Sequence, residues 1–157
     1  MQTFFIDKTI RPATLYDIER IYALEQTCNP NPWTREGVAE EFSNPNSIFL
    51  VLETQAPHAT SSQIIGFISA ALILDEIHIL EVAVCPNHRN AGLGSLLINA
   101  LLSSAAAKNA VRACLEVRAA NLPAIRVYEK RGFGRDGVRK GYYQDGEDAV
   151  LMSLELF

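Results

Sequence analysis

The sequence predicts an α/β domain in which helices cover the faces of a mixed β-sheet. Short runs rich in β-branched residues alternate with stretches of helical spacing along the chain. Glu76 to Val117 has the pattern strand, helix, strand, which predicts a right-handed parallel crossover. Ile64 to Leu74 is almost unbroken apolar, as is typical of a central strand buried on both faces. With 157 residues and no long linker, residues 1–157 are predicted to form a single domain.

The first quarter of the chain predicts one strand and two helices. Phe5 to Pro12 has the pattern of a strand that ends at a proline. Thr14 to Asp17 has the form of a helix capping box, and the apolar spacing after it predicts a helix to about Gln26. Asn29 to Pro32 breaks that helix, and Thr34 is suited to cap a second, short one.

The remainder predicts further strands and two longer helices. The helices run from Gly92 to about Lys108 and from Leu122 to Arg131, the second closed by Gly132. Further strands are predicted at 47–54, 64–74, 76–84, 112–117, 134–140 and 148–156. The expected architecture is a sheet of six to seven strands flanked by about four helices.

Composition and charge argue against several classes of protein. No apolar run reaches the roughly 20 residues of a membrane helix, and Asp7 and Lys8 interrupt any export signal. A net charge of −4 argues against a general nucleic-acid binder. Cys28, Cys85 and Cys114 are odd in number and lack metal-ligand spacing, which predicts free thiols, no metal site and a cytoplasmic location.

Eight of the fourteen basic residues fall between Arg112 and Lys140. One interpretation is an ordinary solvated face. The other is a positive rim that attracts a phosphorylated cofactor or an RNA-rich partner. The sequence leaves both open, although charge runs are more often plain surface.

The segment Arg89-Asn90-Ala91-Gly92-Leu93-Gly94-Ser95 separates a predicted strand from a predicted helix. Its glycines allow close backbone approach, and the free N–H groups of the helix start favour an anion such as a pyrophosphate. Arg89 could add a charge-assisted contact. A Rossmann loop would need a third glycine and a Walker loop a Gly-Lys pair, and neither is present. A plain structural turn remains the alternative.

Wider motifs around this loop resemble those of the Gcn5-related N-acetyltransferase (GNAT) superfamily. They are Val82-Ala83-Val84-x-Pro, Arg89-x-x-Gly92-x-Gly94, Leu115-Glu116-Val117-Arg118-x-x-Asn121 and Ala124-Ile125-x-x-Tyr128-x-x-x-Gly132-Phe133. Pro32-Trp33-Thr34 and Tyr142-Tyr143 followed by Glu147-Asp148-Ala149-x-x-Met152 resemble the bacterial RimI-type enzymes within it. Those enzymes acetylate the N-terminal alanine of a ribosomal protein, and the likeness runs from about Ile10 to Leu156.

The resemblance implies a mostly antiparallel GNAT sheet that splays open between the strand ending at Val84 and the strand at Cys114 to Val117. Acetyl-CoA, the implied co-substrate, would lie in this gap. The implied contacts are backbone groups of Val82, Ala83 and Val84, the loop residues Arg89, Asn90, Ala91, Gly92, Leu93, Gly94 and Ser95, and Asn121.

The resemblance also assigns catalytic roles to two residues. Glu116, at a strand end beside the gap, matches the family's proposed general base, and its alternative is an acid paired with Arg118 or Arg112. Tyr128 matches the general acid, and its alternative is a core aromatic with a polar tip.

His78 and Glu81 are rival bases on the strand before Val82. Strand alternation places them on opposite faces, so at most one is expected to face the substrate. For His78 a satisfied core or surface histidine is the more probable interpretation. Glu81 stands where RimI-type relatives are expected to carry asparagine.

Trp33, Tyr142 and Tyr143 are implied to line a narrow site for the N-terminus of a protein substrate, expected to be ribosomal. Surface aromatics that pack two hairpin ends are the alternative. Two other functions stay open: acetylation of a small amine such as a polyamine or an antibiotic, and a non-catalytic acyl-CoA sensor. Neither nucleic acid nor membrane is an expected partner.

Overall fold

The computed structural model describes residues 7–156, so the part of the predicted first strand before Asp7 lies outside the described residues. The strands are β1 (Asp7–Pro12), β2 (Ser47–Gln55), β3 (Gln63–Ile73), β4 (Glu76–Val84), β5 (Arg112–Arg118), β6 (Gly134–Arg139) and β7 (Ala149–Glu155). The helices are α1 (Ile18–Cys28), α2 (Arg35–Ser43), α3 (Leu93–Ala107) and α4 (Leu122–Lys130), with 3₁₀ turns at Leu15–Asp17 and Pro86–His88. The predicted fold class is confirmed.

Polar caps fix where the helices begin. The Thr34 hydroxyl accepts a hydrogen bond from the Gly37 N–H at 3.0 Å, as the sequence predicts. The Asn121 amide oxygen accepts from the Ala124 N–H at 3.3 Å and caps α4. At the start of α1, a single turn of 3₁₀ helix precedes the α-helix, and the Asp17 carboxylate accepts from the Thr14 N–H at 2.7 Å.

The seven strands form one sheet in the order β1-β2-β3-β4-β5-β7-β6. Only β4 and β5 pair in parallel, and α3 connects them. The other neighbours are antiparallel. β3 is buried along most of its length, as predicted, because helices cover both of its faces.

Two hydrophobic clusters occupy the two faces of the sheet. The larger contains α3 and α4 side chains against residues such as Ile68 and Ile79. The smaller contains Ile21 and Leu24 of α1, with Val38 of α2, against the opposite face. This sandwich holds β4 between α3 and α1.

β4 and β5 pair only along part of their length. Their register begins at Glu76 and Arg112 and ends at Ile79 and Leu115. Beyond that point the strands have no mutual pairing, whereas β4 stays paired with β3 up to Val84. The sheet therefore opens between β4 and β5, at the place that the family resemblance implies.

A β-bulge at Leu80 changes which way β4 side chains point. Ser69 pairs with Glu81 and Ala70 with Ile79, so Leu80 is an extra residue. Ile79 packs towards α3, while Glu81 contacts Asn29 beyond the end of α1. The prediction that His78 and Glu81 point to opposite faces is wrong, because the bulge shifts the alternation by one residue.

Three of the eight basic residues between Arg112 and Lys140 are paired with acids: Arg112, Arg118 and Arg135. Arg112 lies within 3.4–3.6 Å of carboxylate oxygens of Glu76, Asp136 and Glu155. Arg135 pairs with Glu129 at 2.9 Å. The interpretation as an ordinary solvated face is therefore favoured over a positive rim.

All three cysteines are free thiols, as predicted. Within residues 7–156, none of the helices is both long and apolar enough to cross a membrane.

Candidate active site

The gap between β4 and β5 is a cleft with a cavity volume of ≈ 720 Å³. The diverging strands form its floor, α4 contributes one wall, and the segment after α1 closes one end. Of the sequence-predicted site residues it brings together Trp33, Val82, Ala83, Val84, Arg89, Asn90, Glu116, Asn121, Tyr128 and Tyr143. Ala91, Gly92, Leu93, Gly94, Ser95 and Tyr142 do not line the cleft.

The loop after β4 presents the start of α3 next to the cleft. Asn90 and Gly92 adopt left-handed backbone conformations, with φ of 62° and 75°, and Gly92 is the N-cap of α3. A Cβ placed on Gly92 or Gly94 would meet nothing within 4 Å, so this surface is open to a ligand. The Leu93 side chain is buried in the core, so that residue can offer only its backbone. The first-turn N–H groups of α3 suit a pyrophosphate.

Arg89 lies between this loop and the strand. Its Nε donates to the Val84 carbonyl at 3.0 Å. The Cys28 thiol is in contact with the same oxygen at 3.4 Å. The Val84 carbonyl is thus already engaged, and the unpaired edge of β4 that remains for a strand-like ligand lies nearer Val82.

Glu116 presents an exposed carboxylate to the cleft. Among residues 7–156 its side chain makes neither a salt bridge nor a hydrogen bond. The two arginines that sequence reasoning offered as partners are engaged elsewhere: Arg118 with Asp145 and Glu147 at 2.8 and 2.9 Å, and Arg112 with the acids named above. The alternative of a structural ion pair is therefore not observed.

Tyr128 is buried and lines the cleft from α4. Its ring packs edge-on against Phe133, with centroids 5.6 Å apart. Burial, and then the nearby Glu81, raise the pKa of the phenol above its usual value. The side chain is thus both a core aromatic and a protonated group that faces the cleft.

Two carboxyl groups lie together at the end of α1, and sequence reasoning missed one of them. The Asn29 amide donates to Glu81 Oε2 at 3.2 Å and to Glu25 Oε2 at 3.4 Å. Glu25 is fully buried, and its Oε2 also accepts from the Trp33 N–H at 2.9 Å. Burial and the neighbouring Glu25 raise the pKa of Glu81 to about 8. A glutamate in a helix is usually exposed, so nothing in the sequence indicated that Glu25 is buried.

The same end of the cleft carries the aromatic residues. Trp33 and Tyr143 line it, while Tyr142 is 45% exposed and stacks edge-on against Tyr143 at 5.0 Å. The Arg118 guanidinium lies 4.1 Å from the Tyr143 ring centroid. Arg118 therefore links this turn to the end of β5.

His78 lies outside the cleft lining. Its Nδ1 is 3.3 Å from Cys114 Sγ and its Nε2 is 3.6 Å from Glu76 Oε2. Burial and the carboxylates of Glu76 and Glu116 raise the pKa of the Cys114 thiol to about 11. This arrangement favours the interpretation of His78 as a satisfied histidine, and Glu81 is the rival base that faces the cleft.

The sequence profile of the Acetyltransferase (GNAT) family matches residues 18–133. A Bacillus subtilis protein, provisionally named a [ribosomal protein bS18]-alanine N-acetyltransferase, is 34% identical over 91% of this chain and 92% of its own length. The [ribosomal protein bS18]-alanine N-acetyltransferase of Escherichia coli is 30% identical over 94% of this chain and 97% of its own length.

Two solved structures share the fold of this chain at similar sequence identity. The crystal structure of the Escherichia coli ribosomal-protein-S18-alanine N-acetyltransferase superposes with a TM-score of 0.84, at 29% identity over 96% of this chain and 94% of that one. Ard1 from Thermoplasma volcanium superposes with a TM-score of 0.85, at 30% identity over 96% and 98% of the two chains.

Proposed function

The chain belongs to the acetyltransferase (GNAT) family, and we propose that it acetylates the N-terminal alanine amine of a ribosomal protein. It is an acetyl-CoA-dependent N-acetyltransferase. One observation carries the proposal: the opened sheet forms a cleft lined by a carboxylate and a phenol, beside a helix start whose free N–H groups suit an anion. Transfer from a thioester to an amine can use all three.

The loop at Arg89–Ser95 and the start of α3 would hold the pyrophosphate of acetyl-CoA. The open surface around Gly92 and Gly94 fits this role, since no side chain blocks the approach of the ligand. The unpaired edge of β4 near Val82 and Ala83 would bond the pantetheine arm as a neighbouring strand would, and Asn121 lies across the cleft from it. A backbone N–H of this edge would stabilise the oxyanion.

Glu116 would act as the general base. The amine attacks the thioester carbonyl, and Glu116 takes a proton from the attacking nitrogen, directly or through water. Its exposed carboxylate has no cation partner among the described residues, so it is free to accept a proton from the amine. Tyr128 would then donate to the departing thiolate.

The phenol is a weak acid for this task. A thiol has a pKa near 8.5 and a phenol near 10, so full proton transfer is uphill by about 2 kcal/mol before burial is considered. The burial of Tyr128 raises its pKa further. A strong hydrogen bond to the sulfur with late proton transfer therefore fits better than early protonation.

Trp33 and Tyr143 would form the slot for the first residue of the protein substrate. Both rings line the cleft, and a slot between two aromatic rings would suit a small side chain such as that of alanine. The bS18-alanine specificity of the two named relatives supports this choice. We place the enzyme in the cytoplasm, where ribosomal proteins are made.

Mass spectrometry of peptides incubated with acetyl-CoA tests the proposal. The set contains a peptide that begins Ala-Arg-Tyr, the same peptide with a blocked amine, a lysine-containing peptide and a polyamine. We expect one acetyl group on the free-amine peptide alone. Transfer to the polyamine instead would overturn the N-terminal assignment, and no transfer to any amine would indicate an acyl-CoA sensor.

A further inference from the structure

The amine of a protein N-terminus has two protons to lose during acetylation. Its pKa is about 7.7–8.0, so near neutral pH most of it is an ammonium ion. One proton must leave before the nitrogen can attack, and a second leaves after the C–N bond forms. Glu116, as the proposed base, accounts for the second proton only.

A second proton acceptor lies at the end of the cleft that is lined by Trp33 and Tyr143, called the peptide end below. Glu81 is half-buried, lines the cleft, and shares the Asn29 amide with Glu25. The bulge at Leu80 turns Glu81 towards this end of the cleft and away from the α3 core. The Glu25 carboxyl lies behind it, fully buried, and its Oε1 has no partner within residues 7–156.

No cation neutralises this pair among the described residues. The titratable and charged groups around it come from every element that borders the cleft. They are Glu25 and Cys28 of α1, Arg89 after β4, Glu116 and Arg118 of β5, Tyr128 of α4 and Tyr143 before β7. Arg118 is bonded to Asp145 and Glu147, and the Nε of Arg89 is directed at the Val84 carbonyl.

We propose that Glu81, held by Asn29 and backed by Glu25, binds the substrate ammonium and takes its first proton. The N–H bond of the ammonium breaks, the proton passes to a Glu81 carboxylate oxygen, and the neutral amine keeps the electron pair with which it attacks the thioester. Glu116 then accepts the second proton and the departing thiolate receives one from Tyr128. The proton held by Glu116 returns to the Tyr128 phenolate through solvent, and Glu81 releases its proton to solvent, so one proton leaves per turnover. The proposal rests on the proposed amine acetylation and adds a division of labour between two bases.

Burial and charge suit Glu81 to this step. Glu25 accepts hydrogen bonds from Trp33 and Asn29, whereas Glu81 accepts one from Asn29, so Glu25 is the first of the two to ionise. Its charge, added to burial, brings the pKa of Glu81 close to that of the amine. Proton transfer between them is then nearly balanced, which is the condition for efficient acid–base exchange. Glu25 is in this scheme a positioning residue.

The test is kcat/KM against pH for the Ala-Arg-Tyr peptide, with the wild-type enzyme and Glu81→Gln. In the wild type the productive complex holds one proton between Glu81 and the amine. Because both pKa values lie near 8, kcat/KM should peak there and fall on both sides. In Glu81→Gln only the neutral amine reacts, so kcat/KM should rise through pH 8 and level off.

The loss caused by Glu81→Gln should therefore depend on pH. We expect about a 10- to 100-fold loss at pH 7, the range for removal of a hydrogen bond to a charged group, and little or none above pH 9. A loss that is equal at every pH would overturn the proposal, because a structural defect has no reason to follow the titration of the amine. Binding of acetyl-CoA reports whether the variant is intact.

Glu25→Gln and Glu40→Gln provide the matched pair. Glu25→Gln removes the neighbouring charge and should move the acid limb of the wild-type profile to lower pH, leaving the alkaline limb in place. Glu40→Gln removes the same charge from the exposed face of α2 and should move neither limb. If the wild type acetylates the peptide but the pH profile of Glu25→Gln has both limbs in their wild-type positions, the role of Glu25 is rejected. If the wild type acetylates none of the amines, the proposed function itself is rejected.

Discussion

The two ends of α1 each hold a carboxyl group away from solvent, in opposite electrostatic settings. At the start, the Asp17 carboxylate contacts Arg11 and Arg20 at 2.8 Å each, and these cations hold its pKa below the usual range. At the end, Glu25 and Glu81 have only amide donors, and burial raises the pKa of both. The helix dipole adds to the contrast, since it favours negative charge at the start and disfavours it at the end.

The difference separates a structural acid from a chemical one. A buried carboxylate that is matched with two arginines ties β1, α1 and β2 together, because Arg11 also bonds Glu53 at 3.1 Å. A carboxyl group without a cation has a raised pKa, which does not help the fold but lets the group exchange a proton with an ammonium ion that enters the cleft.

Asp17→Asn, which removes the cation-paired carboxylate at the start of α1, should cause the largest loss of stability. It leaves Arg11 and Arg20 without a shared partner and should lower the free energy of unfolding at pH 7 by about 3 kcal/mol. Since the pKa of Asp17 is lowered by folding, its contribution is present above the unfolded value and is lost as pH falls. Urea titrations should show a large difference from the wild type at pH 7 and a reduced but still clear one at pH 3, because the folded-state pKa of Asp17 lies well below pH 3. The kcat/KM of the folded variant should stay unchanged.

Glu116→Gln should show the reverse pattern, with a large loss of activity and little change in stability. Loss of a general base costs roughly 100-fold in kcat, and the free energy of unfolding should stay within about 0.5 kcal/mol of the wild type, as for most exposed positions. The dissociation constant of acetyl-CoA, measured by titration calorimetry, is the control. A comparable weakening of acetyl-CoA binding would count against a role as base.

Arg118→Met tests what happens when a cation is taken from acids at the mouth of the cleft. It frees Asp145 and Glu147 and removes the contact with the Tyr143 ring. We expect KM for the peptide to rise about fivefold, since such exposed networks and cation–π contacts are individually weak. KM for acetyl-CoA should not change, and steady-state kinetics with either substrate varied will distinguish the two.

Glu81→Gln should change stability in the direction opposite to Asp17→Asn and by a smaller amount. Folding raises the pKa of Glu81 from 4.5 to about 8, so the folded protein holds a proton that the unfolded chain releases. Stability of the wild type therefore declines as pH rises through this interval. The variant lacks that decline, so its Tm relative to wild type should be a few degrees higher at pH 8.5 than at pH 5.

Local signals explain why the sequence alone points to the loop at Arg89–Ser95, where we propose that acetyl-CoA binds. Gly92, Gly94 and Pro86 lie within ten residues of one another, and their conformational demands mark a strand, a loop and a helix start without knowledge of the rest of the fold. The strands and helices could be placed for the same reason, since Thr34 and Asn121 cap helices by contacts three residues away.

The residues of the peptide end, where we propose that the substrate binds, were indicated only by the family resemblance. That resemblance did not indicate Glu25. The peptide end is assembled from Trp33, Glu81, Glu116 and Tyr143, which are brought together by the sheet. The bulge at Leu80 leaves no mark in the local pattern, so alternation wrongly placed His78 and Glu81 on opposite faces. Tyr142 and Tyr143 are adjacent, and only the backbone of their turn decides which one reaches the cleft.

The bulge at Leu80 also bears on how this fold can diversify. Ile77 and Ile79, which precede the bulge, are buried in the core cluster on the α3 side of the sheet, and replacing either would disturb many neighbours. Position 81 is freed from that layer, so its side chain can be exchanged by single mutations with little penalty to folding. A protein with this scaffold could therefore exchange the side chain at position 81, which we propose contacts the substrate amine, without altering the helix start that we propose binds acetyl-CoA.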